Sequence, residues 1–339
     1  MSTINDVARL AGVSTMTVSR VVNKSGYVSD ATRLRVERAV DELGYVPNAL
    51  ARQFRFNRTK TIALVMADIT NPFFTTVARG VEDVAGPRGF GVLFCNTDES
   101  EAEEVDYVSM LIQRRVEGVL LVPASSSSPS LALLRAQKVP VVVVDRRVSA
   151  PDVDVVRGDS EAGARALAEH LIGLGHRRIA LLAGHRTVST TIDRVAGFES
   201  ALAEAGIEQD PRLVRYGGYH QIEGYAMARE ILDVVPTPTA IFAANNFIAI
   251  GAMRALREAG LHVPTDVSVV GFDDLPPDWS LEPFLTVVAQ PAYEFGKRAA
   301  ELLLERIHGP ALEPVRELVL PGELVVRRSS GPPRAEAAA

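Results

Sequence analysis

Thr3-Ile4-Asn5-Asp6-Val7-Ala8-Arg9-Leu10-Ala11-Gly12-Val13-Ser14-Thr15-Met16-Thr17-Val18-Ser19-Arg20-Val21-Val22-Asn23 reads as two short helices around a tight turn. Thr3 followed three residues later by Asp6 is a capping-box pattern. Ile4, Val7, Ala8 and Ala11 recur at helical spacing and mark one inward face. Gly12 breaks the pattern, and Val13 is the apolar residue of the turn. Ser14 caps the next helix, whose buried stripe is Val18, Val21 and Val22. Lys24-Ser25-Gly26 ends it. A third helix starts at Ser29, turns Val36, Ala39, Val40 and Leu43 inward, and stops at Gly44. Two helices about a glycine turn with a third in support is the helix-turn-helix layout. A small bundle with an ordinary polar face has the same pattern.

In that layout the exposed side of the second helix enters a DNA major groove. Thr15, Met16, Thr17, Ser19, Arg20 and Asn23 lie on it. Hydroxyls contact phosphates or base edges, Arg20 has the fork for guanine, and Met16 offers apolar contact to a thymine methyl. Charge points the same way. Residues 1–60 carry ten basic and five acidic side chains, +5, which leaves −11 for the remainder of a chain whose net charge is −6. A basic head on an acidic body fits a head that meets a polyanion, although +5 is also ordinary surface charge.

The stretch from Asn48 to Arg55, Asn-Ala-Leu-Ala-Arg-Gln-Phe-Arg, has good helix formers but is too short to be stable alone. Leu50 and Phe54 stand at i,i+4 spacing, which a plain linker does not need. A segment that folds on DNA against a second copy would use both, one as a dimer contact and one as a wedge between base steps. Asn48 and Arg55 complete its candidate DNA contacts.

These motifs, with Gly44-Tyr45-Val46-Pro47-Asn48-Ala49-Leu50-Ala51-Arg52, resemble the headpiece and hinge of the lactose-repressor (LacI/GalR) family. The resemblance continues to about Arg328. It implies a homodimer or tetramer on a pseudo-palindromic double-stranded DNA operator, with paired hinge helices in the minor groove. The family's wedge is usually leucine; by position it is Phe54 here.

From Thr61 the pattern changes to short apolar runs alternating with amphipathic segments. Candidate strands are Thr61–Met66, Gly91–Cys95, Gly118–Val122, Val141–Val144, Ile179–Ala183, Ala240–Ala243, Val267–Gly271 and Thr286–Ala289. Candidate helices include Thr75–Ala85, Glu101–Arg114, Glu161–Leu171, Val195–Ala205, Gln221–Leu232 and Phe247–Ala259. Apolar strands alternating with helices imply parallel sheets covered on both faces, and the length allows two such lobes. The expected fold class is therefore an all-α headpiece with a hinge helix, joined to an α/β sensor. The resemblance specifies two Rossmann-like lobes of periplasmic-binding-protein type I, with crossings near Gly158, Val287 and Gly322. The expected boundaries are 1–46 for the headpiece, 47–59 for the hinge and 60–328 for the sensor. The N-lobe covers about 60–157 and 288–321, the C-lobe about 158–287 and 322–328, and 329–339 is a disordered tail.

Ligands of open α/β sheets sit beyond the carboxyl ends of strands. Asp68-Ile69-Thr70-Asn71-Pro72-Phe73-Phe74, Asp145-Arg146-Arg147, Tyr216-Gly217-Gly218-Tyr219, Asn245-Asn246 and Asp273-Asp274 fall there, and Thr190 to Arg194 opens a helix. The resemblance assigns Phe73, Phe74, Thr190, Arg194, Tyr219, Asn245 and Asp273 to the effector site, and Arg146 joins them from its place after the fourth strand. Taken singly, Asn71-Pro72 is also a turn and cap, Phe73-Phe74 core packing, and Arg194 a structural ion pair. Together, carboxylate, amide, guanidinium and aromatic ring suit a sugar or polyol; a purine or a sugar acid stays open. The family commonly has Asn-Asp where this chain has Asn245-Asn246.

No catalytic, metal or cofactor constellation emerges. Asp145, Asp273 and Asp274 lack an accompanying nucleophile, and His176 and His185 are isolated. Neither a dinucleotide-binding glycine motif nor a P-loop is present, which argues against a Rossmann dehydrogenase. A sugar-delivering transport protein fits the body but not the basic headpiece. Cys95 is the sole cysteine, no run reaches membrane-span length, and the N-terminus lacks a secretory pattern, so the expected location is cytoplasmic. Ser125–Ser128 with Pro129 reads as a loop with Ser125 at the pocket edge. The tail lacks heptad leucines for a tetramer-forming coiled coil.

Overall fold

A computed structural model describes residues 2–23, 25–45, 59–150, 152–275, 283–309 and 314–334. The chain divides into two compact units, 1–59 and 60–339. The expected hinge contacts Asn48, Leu50, Phe54 and Arg55 lie outside the described residues.

The first unit contains α1 (Ile4–Ala11), α2 (Thr15–Val22) and α3 (Asp30–Leu43). The Thr3–Asp6 capping box forms in both directions: the Asp6 amide donates to Thr3 Oγ1, and the Thr3 amide donates to Asp6 Oδ2 at 2.9 Å. Gly12 and Gly44 end α1 and α3 in left-handed conformation, at φ 63° and 54°, where a Cβ would be strained. Ser14 caps α2 through the Thr17 amide. Ser29 precedes α3 but bonds Thr32 Oγ1 rather than a backbone amide. Val7, Val18 and Val36 are fully buried with Ala8, Ala11 and Ala39 around them. Val21, Val22, Val40 and Leu43 only flank this core, because short helices give each side chain little cover.

The second unit starts with β1 (Thr61–Met66), α4 (Pro72–Ala85), β2 (Gly91–Asn96), α5 (Glu101–Gln113), β3 (Gly118–Leu121), α6 (Pro129–Ala136), β4 (Val141–Asp145) and β5 (Asp154–Gly158). It continues with α7 (Ser160–Gly173), β6 (Ile179–Ala183), α8 (Ser189–Glu204), β7 (Val214–Tyr216), α9 (Gln221–Leu232), β8 (Ala240–Ala243), α10 (Asn246–Glu258) and β9 (Ser268–Phe272). Last come β10 (Thr286–Ala289), α11 (Ala292–His308), β11 (Glu317–Leu320) and β12 (Glu323–Val325).

Two six-stranded sheets result, ordered β11-β5-β4-β3-β1-β2 and β12-β10-β9-β8-β6-β7. All neighbours are parallel except β12, which runs antiparallel to β10. The central strands are apolar on both faces because helices cover both. Phe73, Phe295 and Leu303 bury one face of the first sheet, and Val108, Leu111 and Leu134 the other. Phe198, Phe242 and Phe272 anchor the second lobe. Helices α4 and α11 meet through glycines: a Cβ on Gly80 would sit 2.2 Å from the Tyr293 carbonyl oxygen, and one on Gly296 would sit 1.9 Å from that of Val77.

Several elements differ from the sequence expectation. Helix α11, 17 residues long, and strands β5, β11 and β12 are additional to the elements that the sequence pattern marks. Strand β11 alternates exposed with half-buried residues and β12 is three residues long, so neither carries the apolar run that marks the central strands. The second crossing between lobes falls after Ala289, two residues past the expected Val287, since Val287 to Ala289 pair with β12. The tail is also corrected over residues 329–334. Ser329 is fully buried; its amide donates to the Phe284 carbonyl, and its Oγ accepts from the Thr286 amide and donates to the Val269 carbonyl. Polar backbone partners, which hydropathy cannot register, hold it. Among the described residues no helix is long and apolar enough to cross a membrane.

Candidate functional site

Strand ends of both sheets meet at one cleft between the lobes. The last residue of β4, Asp145, and the first residue past β9, Asp273, both take left-handed backbone at φ 67° and 66°. Asparagine caps aim the flanking helices: Asn71 Oδ1 accepts from the Phe73 amide at the start of α4, and Asn245 Oδ1 from the Ile248 amide at the start of α10.

All eight sequence-selected residues, Phe73, Phe74, Arg146, Thr190, Arg194, Tyr219, Asn245 and Asp273, line this one cavity. Asp68, Asn71, Glu99, Asp145 and His220 line it as well. Glu99 and His220 escaped the sequence reading. Glu99 lies three residues past the end of β2, so the strand-end rule that flagged Asp68 also applied to it. Ser125 is not on the wall; its hydroxyl donates to Glu101. The cavity is narrow, with a volume of about 30 Å³.

The two arginines are already engaged. Arg146 forks onto Glu99 at 2.6 and 2.7 Å and donates to the Pro123 carbonyl at 2.8 Å. Burial works against its charge, but Glu99 overrides that and holds the guanidinium firmly protonated. Arg194 donates to the Ala244 carbonyl at 2.6 Å and stacks 4.0 Å from the centre of the Phe272 ring. Its Nη1 is 3.9 Å from Asp273 Oδ2, and Arg146 Nε is 3.7 Å from Asp145 Oδ2. Both distances exceed a hydrogen bond, and the buried Nε atoms of both arginines have no partner.

Acceptor capacity remains beside those idle donors. Burial pushes the Asp145 carboxyl up to about 6, against the pull of Arg146 and Arg194 and with Asp273 and Glu99 adding to the rise. Burial also raises Asp273, opposed by Arg194 and by the Gln290 amide, which donates to Asp273 Oδ1 at 2.7 Å. The amide of Asn245 is used at both ends, since its Nδ2 donates to the Tyr219 carbonyl at 3.1 Å. Tyr219 bonds Thr190 and Thr191 through its hydroxyl, and its ring rests on Gly184, where a Cβ would come within 2.2 Å.

On the headpiece, Thr15, Met16 and Arg20 are exposed, with Met16 at 52%. Thr17 is half-buried, its hydroxyl sharing a hydrogen bond with Ser14. Asn23 Nδ2 turns back to the Ser19 carbonyl at 2.8 Å and to Ser19 Oγ at 3.2 Å, so these two side chains brace the end of α2. No group of three or more metal-ligating side chains occurs among the described residues.

Residues 3–48 match the family model described as bacterial regulatory proteins, lacI family. Residues 59–321 match the model of periplasmic binding proteins and sugar binding domain of LacI family. The transcriptional repressor PurR of Photobacterium profundum is 39% identical over 332 residues, covering 97% of this chain and 98% of that protein. A solved complex of the transcriptional regulator CelR with cellobiose is 39% identical, with a TM-score of 0.73 over 97% of this chain and 100% of that one. The lac repressor dimer bound to operator and the anti-inducer ONPF is 32% identical, with a TM-score of 0.85 over 97% and 99% of the two chains.

Proposed function

The chain belongs to the LacI family of bacterial regulatory proteins, and from that premise we propose that it is a transcriptional repressor whose operator affinity is set by a neutral, polyhydroxylated effector in the cleft. The observation that carries the effector class is the balance of unused hydrogen-bonding groups. Asp145 and Oδ2 of Asp273 are open acceptors, while Glu99 takes both terminal nitrogens of Arg146 and Ala244 takes one donor of Arg194. Sugar hydroxyls supply donors to those acceptors, and the same hydroxyl oxygens can accept from the idle Nε atoms. A phosphate or carboxylate could take the Nε edge of Arg194, but it would stand against the unpaired carboxyls of Asp145 and Asp273 in a buried cleft, which a neutral ligand does not.

A purine is the second reading. The PurR relatives favour it, and Phe73, Phe74 and Tyr219 offer ring faces in the same cavity. The repressor is read as a homodimer, as the lac repressor is in its operator complex. Phe94, Ile222 and Tyr293 expose large apolar surface that a second copy would cover. The α2 face of each copy enters a major groove, and the effector shifts the balance between lobe arrangements that do and do not let residues 47–59 pair. Operator affinity should fall steeply with salt.

A thermal-shift panel of neutral sugars, sugar acids and purine bases separates the readings, followed by operator titration with each compound that binds. Stabilisation by purines alone removes the sugar reading. A compound that binds the cleft without changing operator affinity removes the regulatory one.

A further inference from the structure

We propose that Asn71 and Asn246 form an uncharged clasp that holds the lobes together at the cleft and fixes the position of its aromatic wall. Asn71 stands at the start of α4 in one lobe, Asn246 at the start of α10 in the other. Their amides bond reciprocally: Asn71 Nδ2 donates to Asn246 Oδ1 at 3.1 Å, and Asn246 Nδ2 donates to Asn71 Oδ1 at 3.1 Å. Both side chains are buried, Asn71 at 5% and Asn246 at 0% exposure.

Each Oδ1 is also tied to its own helix. Asn71 Oδ1 takes the Phe73 amide at 3.0 Å, and Asn246 Oδ1 takes the Phe247 amide at 2.7 Å. The clasp therefore joins two helix N-termini, one of which carries Phe73 and Phe74 on the cleft wall. Asn246 acts as a positioning residue, since it reaches the effector space through Asn71 and the helix it aligns, while Asn71 also lines the cavity itself.

Reciprocal pairing requires a donor and an acceptor on each partner, which an amide has and an ionised carboxylate lacks. Aspartate at 246 keeps the acceptor for Asn71 Nδ2 but sets an oxygen against Asn71 Oδ1 in a buried site. Protonation restores the missing donor. Asparagine at 246 thus removes proton dependence from this contact, and the departure from the family's usual Asn-Asp pair acquires a physical role.

The test is amide hydrogen exchange on the full chain without added ligand, corrected for the intrinsic pH dependence of exchange, in the parent and in N246D, N246A and N71D. At pH 8, N246D should raise exchange several-fold at Phe73, in the opposite lobe, as well as at Phe247. At pH 5 that excess should disappear. N246A should raise both sites at both pH values, and N71D should mirror N246D if N246D fails to fold. The ionisable groups around the cleft, Asp68, Asp98, Glu99, Asp145, Arg146, Arg194, His220 and Asp273, are the same in every variant, so the excess over the parent isolates the clasp. Phe73 exchanging at the parent rate in N246D and N246A would mean that Asn246 only caps its own helix, and overturns the proposal. So does an N246D excess that acid leaves unchanged.

Discussion

Asp145 and Asp273 hold the same place in the two lobes. β4 and β9 are each third in their sheet order, and each acidic residue sits at the carboxyl end with φ within a degree of the other. Each faces an arginine just beyond hydrogen-bonding distance. The cleft thus has a carboxylate–guanidinium pair on either side, and a ligand that satisfies both must touch both lobes.

The first prediction concerns Asp145 and pH. Its carboxyl is raised from 3.8 to about 6, so the folded protein binds a proton the unfolded chain releases between those values. This group's contribution to stability is therefore present below the unfolded value and lost as pH rises through about 6. D145N removes the burden, so its thermal midpoint should exceed that of the parent by about 2–5 °C at pH 7.5. The gain should vanish near pH 4. An equal gain at both pH values would show that Asp145 is not protonated in that range.

The second concerns Arg146 and Glu99, whose side chains are 4% and 8% exposed. R146A leaves Glu99 buried without its counter-charge, and should lower stability to denaturant by about 3–5 kcal/mol. The double variant E99Q/R146M should recover most of the loss. If the double variant is as unstable as the single one, packing rather than charge explains the effect.

A third follows from Ser329. Replacing it with alanine strips the Thr286 amide of its acceptor in the core and should cost about 1–3 kcal/mol. Ending the chain after Arg328 should cost more, since the Val269 amide also loses the Ser329 carbonyl. Both are read by denaturant titration; parent-like midpoints would restore the expectation of a loose tail.

The fourth concerns Arg20, exposed on α2. R20A should weaken operator binding by about 1–3 kcal/mol and relax preference at one base position. Anisotropy titrations over single-base operator variants measure this. Uniform weakening across the variants would reassign Arg20 to a phosphate.

Much of this was legible in the residues. Thr3 with Asp6, Gly12 and Gly44 are local signals, and each produced the cap or stop its chemistry dictates. The cleft residues were legible because a parallel sheet puts polar strand ends in one place. What escaped depends on distant partners. The partner of Glu99, Arg146, lies 47 residues away, and Ser329 is held by Val269 and Thr286, 60 and 43 residues away. Strands β11 and β12 owe their existence to the sheet edges they complete rather than to their own apolar content.

The three connections between lobes, after Gly158, after Ala289 and between β11 and β12, lie against one another: Gly158 adjoins Gln290, Gly322 adjoins Ala289, and the Asp159 amide donates to the Leu320 carbonyl. A single tether would let the lobes swivel, and two would leave room for twist. Three short ones constrain the motion to something close to one bending angle. On the proposed reading, an effector in the cleft acts on that one angle, and chemically different ligands would rank on a single scale by the angle they stabilise.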